Sequence, residues 1–200
     1  MKTEPDIKPT NEQSTPPEVV QPPVGNWKGY FIDLGKMLLI ALVLYFIIDS
    51  LIARVRVENI SMFPTLKEGE VLIVNKLAYK LGPIMRGDIL TFHAPPEPGI
   101  DYIKRAIGLP GDVVEIRDKK VWVNGMQLIE PYLVTPAEYQ GKWVVPADNI
   151  FVLGDNRNNS SDSHIWGFVP LKNLIGKALA VYWPFTQMRI LNHPNIMPPV

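Results

Sequence analysis

Cysteine is absent from this 200-residue chain, which removes disulfide frameworks, thiol nucleophiles and Cys-ligated zinc together and leaves the redox compartment open. Net charge is absent too. Twenty basic and twenty acidic side chains cancel, so no basic surplus is offered to phosphates and nucleic acid is not an expected partner. Only three histidines occur, His93, His164 and His193, with no H-E-x-x-H spacing, and zinc chemistry is not expected. The length allows one folded domain plus appendages. Proline, in contrast, is in excess: 20 of 200 positions, twice the usual share of ~5%.

Six of those prolines fall in residues 1–25, among Thr, Ser, Gln and Glu. Such a stretch buries too little surface to offset its ordering entropy, so residues 1–28 are expected to be a disordered tail. The composition then turns sharply: Met37 to Ile48 contains no polar residue, and Leu51, Ile52 and Ala53 extend the run. Phe31 to Ala53 approaches the ~20 residues needed to cross a bilayer. Apolar residues all round a helix favour lipid on every side, and Trp27 and Tyr30 suit an interface, so residues 29–54 are expected to form a transmembrane anchor. A buried helix of a soluble core is the alternative, because the uninterrupted part has 12 residues with Asp33, Lys36 and Asp49 near its ends. Lys28 and Lys36 on one side balance Arg54 and Arg56 on the other, so charge counting assigns no orientation.

Residues 55–200 have the texture of strand and turn, with β-branched runs broken by Gly, Pro, Asn and Asp. Strands are expected at Val71–Asn75, Ile89–Phe92, Tyr102–Ile107, Val113–Arg117, Val121–Val123, Ile150–Leu153 and Ala178–Trp183. Asn124-Gly125 marks a two-residue hairpin, since a type I′ turn needs positive φ at both positions. The expected fold is mainly β: a single N-terminal transmembrane helix followed by a β-rich domain of antiparallel sheets.

Three polar clusters stand out: VENISMFPTL (57–66), DYIKRAIGLPGD (101–112) and GDNRNNSSDSHIWGFVP (154–170). In the first, Ser61 lies between Ile60 and Met62, a setting for a hydroxyl at the edge of an apolar groove, although a serine there also has an ordinary structural reading. In the second, strand alternation points Lys104 away from Ile103 and Arg105, so one of the two basic residues is expected to face inward. A solvated lysine is inert; a buried one loses its charge readily and can serve as a general base. The third cluster holds two Asp, three Asn, three Ser, an Arg and a His within 11 residues, but its order does not fit an EF-hand, and no metal is expected.

Together the segments resemble the type I signal peptidase (leader peptidase) family, over most of residues 29–185. SMFPTL resembles the family's nucleophile segment and carries Ser61 to that role. YIKRAIGLPGD resembles its base segment and carries Lys104 to the general base, 43 residues on. In GDNRNNSSDSH the resemblance gives Ser160 the role of hydrogen-bonding and orienting the lysine amine, and it makes Arg105 and Asp155 a structural ion pair. Arg86, Gly87 and Asp88, in RGDILTF, match a further segment of structural meaning. Two departures occur. Asn59 stands where many members offer a serine hydroxyl to the oxyanion, and His164 stands where many have an arginine able to grip Asp162; His164 is not read as catalytic.

The resemblance implies acyl transfer. Neutral Lys104 takes the Ser61 proton, the serine attacks the scissile carbonyl, and water activated by the same lysine hydrolyses the ester, without cofactor or metal. Met62, Leu66, Tyr102 and Ile103 would line a small apolar pocket suited to Ala-X-Ala sites, and the extended substrate would add to an exposed strand edge. The expected partners are signal-peptide-bearing preproteins and a lipid bilayer, with the chain a monomer. The expected location is the plasma membrane, single-pass, with the N-terminus cytoplasmic and the catalytic domain outside, or a thylakoid membrane if the organism has one. An apolar surface patch at the bilayer is expected at Trp143, Trp166 or Trp183. Three other readings stay open: a repressor-type Ser-Lys protease, which would lack an anchor; a Ser-His-Asp hydrolase using His93; and a non-catalytic membrane-anchored β-domain that binds peptides by strand addition.

Overall fold

A computed structural model describes residues 27–198 of the chain. The expected disordered tail falls outside these residues, except for Trp27 and Lys28, which open the first helix. That helix, α1, runs Trp27–Leu51, and its 25 residues make it about 37 Å long at the usual rise. No proline interrupts it, and its apolar side chains point to every side rather than to one stripe. None of its residues is buried, unlike the helix of a soluble core. By length and composition α1 can cross a membrane.

The chain divides between Leu42 and Val43 into two units. The first, in its described part, is helix α1 as far as Leu42. The second carries the end of α1 and all of the strands, beginning with β1 (Ile52–Arg56) immediately after the helix. There follow β2 (Val71–Asn75), the one-turn helix α2 (Ala78–Leu81), β3 (Ile89–His93) and β4 (Asp101–Gly108). Next come β5 (Val113–Arg117), β6 (Lys120–Val123), β7 (Met126–Gln127), β8 (Gly141–Val144) and β9 (Asn149–Leu153). The short helix α3 (Ser163–Trp166), β10 (Val169–Pro170), the long β11 (Leu174–Trp183) and β12 (Arg189–Ile190) complete the order.

All pairings are antiparallel. The large sheet runs β1-β2-β11-β3-β4-β9-β10, with β12 added to β11, and the small one runs β7-β6-β5-β8. Two tight turns build the small sheet. Asn124-Gly125 joins β6 to β7 with φ of 52° and 82°, and Asp118-Lys119 joins β5 to β6 with φ of 50° and 61°. Both are left-handed pairs that match the twist of a hairpin, and Asp and Asn tolerate that region better than most side chains.

The core forms in three clusters. Val57, Met62, Leu66, Leu72, Val74, Ile89 and Ile103 belong to one; Leu90, Phe92, Ala106, Ile150 and Val152 to another; and Ile107, Val114, Ile116, Val121 and Phe151 to a third. Residues of opposite parity along β3 and β4 enter different clusters, Ile89 against Leu90 and Ile103 against Ala106, so both faces of the sheet centre are covered. This corrects the expectation that only one of Lys104 and Arg105 faces inward. Both are buried, at 2% and 1% exposure, because neither face of β4 meets solvent there. Of the three tryptophans expected on an apolar surface, only Trp183 is exposed, beside Phe185. Trp143 packs on Phe151, and Trp166 on Phe92 and Tyr102.

Candidate active site

Ser61 lies just after the extended segment that continues β1, at the start of a tight turn closed by the Leu66 N–H donating to the Met62 carbonyl. The segment is tied down at Val57, whose N–H donates to the Glu70 carbonyl and whose carbonyl accepts from the Gly69 N–H. Behind Ser61 runs the chain that leaves β9. The Asn156 N–H donates to the Ser61 carbonyl at 3.0 Å, and the Asn156 side-chain amide donates to the Ile60 carbonyl at 3.2 Å. Gly154 comes so close that a Cβ there would overlap both the Ser61 carbonyl oxygen and the Ser160 hydroxyl. The serine is thus held by its own turn and by a backbone ledge that only glycine can form.

Lys104 stands in β4 and reaches its Nζ to the Ser61 Oγ at 2.7 Å. The Tyr102 ring lies beneath the amine, 5.1 Å from Nζ to centroid. Burial penalises the ammonium form and brings the amine from 10.5 down to about 8, against the opposing charges of Asp162 and Asp155. A hydroxyl and an amine at hydrogen-bond distance, with the amine able to shed its proton near neutral pH, have the geometry of nucleophile and base.

Arg105, next along β4, points to the other face and grips Asp155 with Nε at 2.8 Å and Nη2 at 2.6 Å. Its Nη1 donates to the Gly87 carbonyl at 2.7 Å, and Thr65 donates to Asp155 Oδ2 at 2.5 Å. One buried ion pair therefore joins β4, the turn after Ser61, the RGD segment and the β9 exit. Within that segment Arg86 pairs with Asp112, while Asp88 takes Lys177 at 2.6 Å and the Tyr79 hydroxyl at 3.1 Å. Within the third cluster, buried Arg157 pairs with Glu130.

The remaining expected site residues fall as follows. The Asn59 amide oxygen accepts the Ser61 backbone N–H at 3.1 Å. Ser160 Oγ is buried and has no hydrogen-bond partner among the described residues, so the expected bond to the lysine amine is not formed here. A groove of about 400 Å³ opens beside Ser61, lined by Val57, Asn59, Met62, Tyr102 and Ile103 among others. Leu66 is not on its wall: it is fully buried beneath, in the cluster with Met62 and Ile103. His93 rests on Asp101 at 2.7 Å and is exposed, and no bond links it to Ser61. Among the described residues no group of three or more His, Asp or Glu side chains could hold a metal ion.

Gly154, Thr65, Asn156 and Arg157 escaped the sequence reading as site residues. Gly154 had a signal, since a glycine ahead of so many hydrogen-bonding residues marks a close backbone approach. Thr65 and Asn156 had none, because they act through partners 90 and 96 residues away.

The chain is similar to several known proteins. The family described as "Signal peptidase, peptidase S26" matches residues 31–183. A signal peptidase I of Leptolyngbya laminosa is 43% identical over 169 residues, 80% of this chain and 83% of the relative. A signal peptidase I of Bacillus caldolyticus is 47% identical over 146 residues, 66% of this chain and 79% of the relative. A crystal structure of a signal peptidase I from Enterococcus faecalis V583 is 33% identical, covers 48% of this chain and 97% of that one, and has a TM-score of 0.45.

Proposed function

This chain belongs to the signal peptidase, peptidase S26 family, a serine endopeptidase family of signal peptidase I type that acts on signal-peptide-bearing preproteins, and from that premise we propose a Ser61–Lys104 mechanism for it. The observation that carries the reading is the 2.7 Å contact between Lys104 Nζ and Ser61 Oγ, with both side chains buried. In the neutral state the Ser61 hydroxyl donates to the amine. As Oγ forms its bond to the scissile carbonyl carbon, Lys104 receives the proton and then gives it to the departing amine. Water next attacks the ester, its proton passes to Lys104, and Ser61 Oγ leaves and is reprotonated.

The substrate lies extended in the groove. From Arg105 onward β4 is paired to β9, but among the described residues Asp101–Lys104 have only β3 as strand partner, which leaves an open edge beside the amine. A peptide added there presents alternate side chains to the wall. Met62 and Ile103 close the pocket near Ser61, so small side chains enter and larger ones meet a packed core. This supports cleavage after Ala-X-Ala sites.

The oxyanion takes the Ser61 N–H. In the free enzyme that donor is held by Asn59 Oδ1; half a turn of the amide, whose terminal torsion is two-fold and soft, puts an N–H where the oxygen was. Asn59 then becomes the second donor. Ser160, whose hydroxyl is unpaired beside Gly154, accepts from the lysine amine once Nζ swings from Ser61 to the attacking water.

α1 is the single-pass anchor that keeps the enzyme on the membrane where its substrates are also held, which raises their effective concentration. The N-terminus lies in the cytoplasm and residues 55–200 across the membrane as a monomer, in a plasma or a thylakoid membrane. The test is cleavage of a preprotein with an Ala-X-Ala site by wild type, Ser61→Ala and Lys104→Ala. Loss of cleavage in both folded variants is expected, whereas a peptide-binding module would show no turnover in any of the three.

A further inference from the structure

Lys104 stands in the field of two carboxylates, and the two are balanced differently. Asp155 is matched by Arg105, a cation at every working pH, through two buried hydrogen bonds. Asp162, fully buried, accepts the Gly154 N–H at Oδ2, 2.9 Å, and the His164 backbone N–H at Oδ1, 3.2 Å. Its contact with a chargeable side chain is the His164 ring, whose Nδ1 lies 2.6 Å from Oδ1.

The ring is held for this contact. It stacks flat on Tyr139, with centroids 3.8 Å apart and planes 9° apart, and its side chain is 16% exposed. The segment leading into Tyr139 is fastened in turn by Asn158, which accepts the Glu138 N–H and donates to the Pro136 carbonyl. Asp162 also supports the nucleophile, since the Gly154 it binds is the ledge against the Ser61 carbonyl.

We propose that His164 is a positioning residue for the lysine: its ring fixes the Asp162 carboxylate, and its charge decides how strongly that carboxylate acts on the Lys104 amine. The inference rests on the reading of Lys104 as the base. An anion near an amine favours the ammonium form, and a cation placed on that anion weakens the effect. With the ring charged, the reactive free amine forms at lower pH. With the ring neutral, the Asp162 charge acts in full and the amine keeps its proton longer. An arginine at this place would be charged at every working pH and a glutamine at none.

The other groups around these two do not compete for the role. His164 faces Asp162 from its own turn and Tyr139 from the segment before β8. Burial pushes the Tyr139 hydroxyl up, so it stays neutral, and the nearby Arg157 and Glu130 neutralise each other. Lys104 faces Ser61 and the Tyr102 ring, and the Asp155 charge that reaches it is paired with Arg105.

The experiment compares kcat/KM from pH 5.5 to 9.5 for the full chain in lipid vesicles, as wild type, His164→Arg and His164→Gln, each normalised to its own alkaline plateau. The rising limb of the Arg variant should lie about half to one pH unit below that of the Gln variant, with the wild type between them. A purely structural role would change plateau or stability and leave the midpoints together. Coincident midpoints, reversed order, or a wild-type limb outside the bracket would overturn the inference. His164→Lys and His164→Asn give the same contrast if either first variant folds poorly. Ser61→Ala and Lys104→Ala run alongside: surviving cleavage in those would refute the dyad, while loss of cleavage in them with coincident His164 midpoints would refute only the part assigned to His164.

Discussion

The α-carbon of Gly154 rests against the Ser61 carbonyl so closely that a Cβ at 154 would overlap that oxygen, and the Asn156 N–H two residues on bonds the same carbonyl at 3.0 Å. The Ser61 carbonyl is therefore positioned by backbone. Gly154→Ala should displace Ser61 from the lysine. A misplacement of about 1 Å can cost on the order of 10²-fold in rate, and overpacking of this kind costs about 1–3 kcal/mol of stability. Single-turnover rates and a urea melt would check both; an active, stable Gly154→Ala protein would mean the ledge yields.

Arg105 and Asp155 make a second expectation. With side-chain exposures of 1% and 0%, removal of either partner leaves an uncompensated buried charge, which costs about 3–5 kcal/mol. Arg105→Met and Asp155→Leu should each destabilise the domain by that order, and the double variant should recover part of the loss. Urea unfolding of the four proteins measures the coupling; additive losses would show that the pair does not act as a unit.

Asn59 has two tasks in the account, acceptor in the free enzyme and donor to the oxyanion. Asn59→Ala should lower kcat by roughly 10²- to 10³-fold with KM little changed, the usual loss for an oxyanion donor. Asn59→Ser should recover part of it. A folded Asn59→Ala protein with normal kcat would leave Asn59 only its turn contact.

The sequence carried the fold class and most of the main strands to within a residue at each end, because the β-branched runs and the Asn124-Gly125 turn are local signals; β11 begins at Leu174, four residues before the expected Ala178. It did not carry β1, β8, β10 or β12. Those strands are short or merge with the helix, and only their pairing with other strands defines them. At the site, Ser61 and Lys104 were legible through their motifs. The burial of Arg105 beside Lys104 was not, since period-two alternation assumes one wet face and β4 has none. The lone Ser160 hydroxyl and the Asn59 contact depend on rotamers that composition does not encode.

The start of β1 sharpens a prediction about truncation. Ile52 pairs with Asn75 and Ala53 with Val74, so a chain lacking residues 1–51 should fold and cleave short peptides. Removing residues 1–56 should expose the edge of β2 and lower stability measurably in a thermal melt. If the first truncation also unfolds, the helix belongs to the core of the domain.

The central claim is that a neutral Lys104 serves Ser61, and the pH dependence of kcat/KM for Lys104→Arg beside wild type tests it most directly. Since burial brings the Lys104 amine to about 8, and the free amine is the reactive form, wild-type activity should be low at pH 6 and climb through that value to a plateau. Lys104→Arg keeps the charge but cannot release its proton, and should stay at background throughout. A wild-type profile flat from pH 6 to 9, or substantial turnover by a folded Lys104→Arg protein, would contradict the account.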